Sequence, residues 1–165
     1  MSKTKKLAFL GVSTALAMVL SYVEFLIPPL TTTIPGIKMG LANIVTVFLI
    51  YRIGTKEAAA VSAVRVALSA LLFGTAVSLA YSAAGAVFSI AGMTLLKKTD
   101  RFSPLGVSVS GGVLHNAGQT IAAILLLGTA RLGYYFALLA VSGTVSGLLV
   151  GTAAWIVMKS IKKTP

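Results

Sequence analysis

Long apolar runs alternate along this chain with short breaks that carry charge, proline or glycine. The breaks predict six helical spans at roughly 7–28, 39–54, 56–73, 76–96, 105–128 and 133–158. Between Ala58 and Leu96 the sole charge is Arg65, and the stretch is too long for one crossing of a bilayer. It must therefore turn, and "FGTA" (73–76) is the place for it. The first run follows a basic start, as a signal peptide does. At 7–28 it is closer to the ~20 residues a crossing needs than to a signal-peptide core, and it reads as a retained helix. The pattern predicts one all-α domain over 1–165, an integral membrane bundle of about six transmembrane helices.

Composition supports that reading. Hydrophobic residues make up 57% of the chain and charged residues 10%, too few to cover a soluble domain of 165 residues. Cysteine is missing, which removes disulfides, thiolate catalysis and Cys-ligated metals. The net charge of +11 suggests nucleic acid at first sight. Lysine and arginine, however, sit in the breaks between apolar runs and form no stripe interleaved with aromatics, so nucleic acid is not expected as a partner. Their placement fits an orientation signal. With the N-terminus inside, the cytoplasmic segments hold Lys3, Lys5, Lys6, Arg52, Lys56, Lys97, Lys98, Arg101, Lys159, Lys162 and Lys163, whereas Lys38 and Arg131 lie outside. This asymmetry predicts both termini in the cytoplasm and a multi-pass protein of the cell membrane.

Small residues recur every four positions: Ser13, Ala17 and Ser21 on the first span, Gly143, Gly147 and Gly151 on the last. In lipid such rows let helix backbones approach closely. They serve packing within the bundle, or one of them, on the first helix, meets a different membrane subunit.

Polar residues inside the spans need a reason, because ionisable groups at that depth are costly unless they face a cavity or a partner. Glu24 falls near the outer end of the first span, Lys38 and Asn43 near the start of the second, and Arg65 mid-way along the third. His115, Asn116 and Gln119 lie mid-way along the fifth, with His115 and Gln119 on one face. One account pairs them internally, Glu24 with Lys38 or Arg65 and the others with backbone carbonyls. The other makes them a substrate site for an anionic or carbonyl-bearing ligand with an apolar portion. The stretch "TTTIPGIKMGLANIV" (31–45) is then a loop that lines or closes the mouth of a cavity, or else a plain connection.

Other chemistry is missing from the sequence. It has no GxxxxGK[ST] phosphate loop. Glu24, Glu57 and Asp100 are the three acids, too few and too scattered to hold Mg²⁺ on a diphosphate. A lone histidine makes a poor metal site, and no serine has triad partners. The chain is expected to be no enzyme and to carry no cofactor or metal.

Three stretches resemble a known family: "IPGIKMGLANIV" (34–45), "VRVALSALLFG" (64–74) and "GGVLHNAGQ" (111–119). They are similar to the signature stretches of the Gx transporter family, also labelled heptaprenyl diphosphate synthase component I, and the likeness covers nearly the whole chain. That family is similar in size and helix count to the substrate-binding S-components of energy-coupling-factor transporters. The likeness implies a six-helix protein that captures a vitamin, cofactor precursor or isoprenoid-type compound from outside. Such a protein docks with a transmembrane coupling subunit and cytoplasmic ATPases through a small-residue row on its first helix. Here Ser13, Ala17 and Ser21, or Gly11 and Ala15, correspond to that row. The synthase label implies instead a membrane accessory subunit in isoprenoid or menaquinone biosynthesis. It would be non-catalytic, because prenyltransferases of the usual kind hold Mg²⁺ on Asp-rich motifs and Asp100 is the sole aspartate. Its contacts would lie on the loops "YRIGTKE" (51–57) and "KKTDRFS" (97–103).

Overall fold

The structure, a computed structural model, describes residues 2–27 and 40–161. Among these residues it is all-helical: α1 (Lys3–Leu26), α2 (Asn43–Arg52), α3 (Thr55–Phe73), α4 (Ala76–Lys98), α5 (Pro104–Leu127) and α6 (Phe136–Ser160), with a 3-10 helix at Ala130–Tyr135 before α6. Three segments, Lys3–Leu26, Ala76–Lys98 and Ala130–Ser160, are long and apolar enough to cross a membrane.

Local chemistry sets the helix ends. Ser2 accepts the Lys5 N–H at the start of α1. Thr75 and Ser78 cap each other's backbone at the start of α4, so the expected turn at "FGTA" is a two-residue joint, Gly74 and Thr75, between α3 and α4. Ser103 caps α5, Pro104 opens its first turn, and Gly128 ends it in the left-handed conformation at φ 63°. The second expected span, 39–54, is shorter in the structure. Asn43–Arg52 has 10 residues, about 15 Å of rise, half the hydrocarbon thickness of a bilayer.

That short helix is the most enclosed element. Val47, Leu49 and Ile50 of α2 are 0–1% exposed, packed among α1, α3, α5 and α6. The tightest contacts join α4 to α5 and α5 to α6, where glycines bring backbones together. A Cβ on Gly112 of α5 would sit 2.2 Å from the Gly143 carbonyl oxygen of α6. A Cβ on Gly147 would sit 2.6 Å from Val109 Cα. Ser108 adds a hydroxyl bond to the Gly147 carbonyl at 2.8 Å. The glycine row of α6 therefore packs within the bundle.

Ser13, Ala17 and Ser21 are also buried in this chain, on the side of α1 that meets α2 and α3. As a row they are covered by the protein's own helices. Gly11 and Ala15 lie on the exposed side.

Basic side chains fasten the end of the bundle that holds the starts of α1 and α3 and the ends of α2, α4 and α6. Lys6 pairs with Glu57. Arg52 donates to the carbonyls of Met158 and Ile161 at the end of α6, and Lys97 donates to the carbonyl of Ile50 at the end of α2. Cations there meet the negative ends of helix dipoles and the carbonyls left over at helix C-termini.

Candidate functional site

At the opposite end, the later halves of α1, α3 and α5 and the starts of α2 and α4 diverge around a cavity of about 270 Å³. Six of the seven residues expected from the sequence to line a substrate site reach it: Glu24, Asn43, Arg65, His115, Asn116 and Gln119. They come from four helices and are brought together only by the fold. Lys38, with Pro35 and Gly36 of the expected mouth loop, lies outside the described residues.

Each of these side chains is held differently. Glu24 accepts the Gly40 N–H at 2.5 Å, tying the end of α1 to the approach to α2, where Gly40 has a φ of 69° that suits glycine. Arg65 directs Nη1 towards the Ser21 hydroxyl at 3.4 Å, while its buried Nε finds no hydrogen-bond partner among the described residues. Glu24 and Arg65 share the cavity, yet among the described residues the ion pair within 4.0 Å is that of Lys6 and Glu57. The guanidinium thus faces a polar space with donor capacity to spare, the arrangement suited to a carboxylate, phosphate or carbonyl oxygen.

Asn116 has two roles. It lines the cavity and is 6% exposed, and its side-chain amide donates to the Leu139 carbonyl of α6 at 2.6 Å. This is the helix-to-helix bond of the internal account, and it commits one of the two amide hydrogens. His115 rests its ring on Gly85 of α4: a Cβ there would be 2.8 Å from Cε1 and Nε2 and 2.9 Å from Nδ1. Next along α5, Gly118 lies against the Ala84 carbonyl, so α4 and α5 nearly touch where they form the cavity wall.

Several lining residues escaped the sequence reading. Ser69 stands one turn beyond Arg65, Ser78 and Ser82 stand one turn apart on α4, and Ser146 comes from α6. Their four-residue spacing was visible, but serine is too common a packing residue in membrane helices to single out. Phe25 and Phe73 form the apolar part of the wall, their ring centroids 5.2 Å apart across α1 and α3. Beneath the cavity a second space of about 10 Å³ shares Asn43, Gly112 and Ser146 with it, and is closed by Val47, Met93 and Val150. The polar interior stops there, above a floor of fully buried apolar side chains.

The family model described as heptaprenyl diphosphate synthase component I matches residues 13–157. No curated protein and no solved structure matches the chain. The match to the family model runs from α1 to α6 and takes in every residue that lines the cavity, and the chain therefore belongs to the heptaprenyl diphosphate synthase component I family.

Proposed function

We propose that this protein is the membrane-embedded, non-catalytic component of a heptaprenyl diphosphate synthase, and that its cavity holds a small anionic or carbonyl-bearing, partly apolar ligand of that chemistry. The observation that carries the reading is the family match over 13–157. The cavity adds a binding site to it: Arg65 supplies cationic and donor capacity, and Asn43 and Gln119 add amides beside the His115 ring. Both termini and the basic end face the cytoplasm, as the distribution of Lys and Arg favours, and all six helices take part in the membrane bundle. The prenyltransferase partner meets the joints at 51–57 and 97–103, which lie at that basic end. Purification in mild detergent from the native host tests this. A soluble prenyltransferase co-purifies with the parent and is lost with Lys98→Glu plus Arg101→Glu; its absence from the parent preparation overturns the reading.

A second reading, capture of a compound from outside for uptake, has one observation in its favour. The cavity lies at the end of the bundle away from the basic residues, whereas a product of cytoplasmic synthesis arrives at the basic end. Docking to a coupling subunit and ATPases would then use the exposed Gly11 and Ala15 side of α1. A stoichiometric small molecule retained by the parent and lost in Arg65→Ala, with no prenyltransferase present, would favour uptake.

A further inference from the structure

The wall between α1 and α3 differs in kind from the rest of the cavity. The α4, α5 and α6 side is closed by backbone contact at Gly112, Gly118 and Gly143. The α1 and α3 side is closed near the mouth by aromatic rings. Phe25 and Phe73 line the cavity and touch each other, and Tyr22 stacks behind them at 6.4 Å from Phe25 and 5.8 Å from Phe73. These rings also face outward: Phe25 is 57% and Tyr22 49% exposed, beside Leu72 at 71%. One layer of aromatic side chain therefore separates the polar cavity from the outer surface of the bundle, which in a membrane is lipid.

Size adds a constraint. At about 270 Å³ the cavity is at the lower edge of small-ligand sites, which span roughly 300–1,000 Å³. It can enclose a charged head and a short apolar portion, but not a long hydrocarbon chain. Arg65 holds its guanidinium beside Ser21 of the same α1–α3 wall.

Resting on the proposed ligand-binding role of the cavity, we propose that Phe25 and Phe73, backed by Tyr22, form a subsite for the apolar part of an amphiphile. Its phosphate-type head sits at Arg65, and the remainder of its chain passes between α1 and α3 into the bilayer. Aromatic faces suit such a chain because they bury a large apolar area at little rotamer cost. Isoprenoid diphosphates and anionic phospholipids share this chemistry, and the test separates them.

The full chain in phosphatidylcholine nanodiscs is titrated with inorganic diphosphate, geranyl diphosphate and farnesyl diphosphate, and separately reconstituted with 10 mol% phosphatidic acid, a level chosen as an order-of-magnitude excess over one site. Geranyl diphosphate binds at least about tenfold more tightly than inorganic diphosphate. Referred to ligand already partitioned into the bilayer, farnesyl diphosphate gains little more, because its added length lies in lipid in both the free and the bound state. Phe25→Ala with Phe73→Ala abolishes the gain, so that geranyl diphosphate and inorganic diphosphate bind alike. Phe73→Leu, which keeps apolar bulk, restores part of it and guards against a folding defect. Competition of geranyl diphosphate by phosphatidic acid assigns the subsite to phospholipid; its absence assigns it to the isoprenoid. Equal affinity for inorganic and geranyl diphosphate, or a gain that survives the aromatic substitutions, overturns the subsite while leaving the cavity reading intact. If no probe binds in an Arg65-dependent manner, the cavity reading falls as well.

Discussion

Replacing Gly85 by alanine puts one methyl group where the His115 ring now lies. The new Cβ would be 2.8 Å from two ring atoms and 2.9 Å from a third, against 3.4–4 Å for ordinary contact. The ring must move by more than half an ångström, or α4 and α5 must part. Parting is resisted next door, where Gly118 already abuts the Ala84 carbonyl. Overpacking of this kind costs about 1–3 kcal/mol. Against it, alanine in place of glycine inside a helix contributes about 1 kcal/mol in its own favour. The net effect is a destabilisation of about 0–2 kcal/mol in the parent. In a His115→Ala background the three nearest obstacles are gone, and the same substitution becomes stabilising by up to about 1 kcal/mol. Reversible unfolding in mixed micelles, run as a double-mutant cycle, reads the change of sign directly. If Gly85→Ala changes stability equally in both backgrounds, to within about 0.5 kcal/mol, the ring does not occupy that notch and the described cavity wall is wrong.

Arg65→Ala weakens binding of the anionic ligand about tenfold or more, as loss of a charge-assisted bond of about 1.5–3 kcal/mol requires; calorimetry on the nanodisc-embedded protein measures it. Gly112→Ala sets a methyl group 2.2 Å from a backbone oxygen that no side-chain rearrangement relieves, so it abolishes the monodisperse folded species on size exclusion. Truncating Asn116 to alanine removes the α5-to-α6 bond to the Leu139 carbonyl, which keeps its own helical bond, and costs about 0.5–1.5 kcal/mol of stability in the same micelle assay. Because the chain has no cysteine, single cysteines at Lys98 and Arg131 report orientation cleanly. In intact cells an impermeant maleimide labels Arg131→Cys and spares Lys98→Cys; the reverse pattern refutes the assigned topology.

Helix ends were legible wherever the chain spends a capping or breaking residue on them. Thr75, Ser103 with Pro104, and Gly128 mark α4 and α5 within a residue or two of where charge and hydropathy breaks put them. The length of α2 was not legible, because apolar residues continue upstream of Asn43 and composition alone cannot tell a helix from the approach to it. Membrane cost singled out the polar cavity residues without any knowledge of which helices meet. Arg65 and His115 stood out because few side chains are so expensive there. Gly85, Phe25 and Phe73 stayed hidden for the opposite reason: a glycine or phenylalanine in a membrane helix is ordinary until its neighbour is known. Direction was the other gap. The small-residue row of α1 was plain in the sequence, but whether it turned inward or outward depended on where α2 and α3 come to lie.

The enclosure of α2 bears on how the protein is made. A ten-residue helix, buried at Leu49 and Ile50 and held at its end by Lys97, draws its stability from neighbours that the ribosome has not yet produced when it emerges. The covering surfaces of α5 and α6 arrive some tens of residues later, so until then α1 and α3 alone are there to cover residues 43–52. Chains ending before Pro104 would leave this helix half uncovered and be cleared by membrane proteases, and slowing translation downstream of Lys98 would lengthen that vulnerable interval.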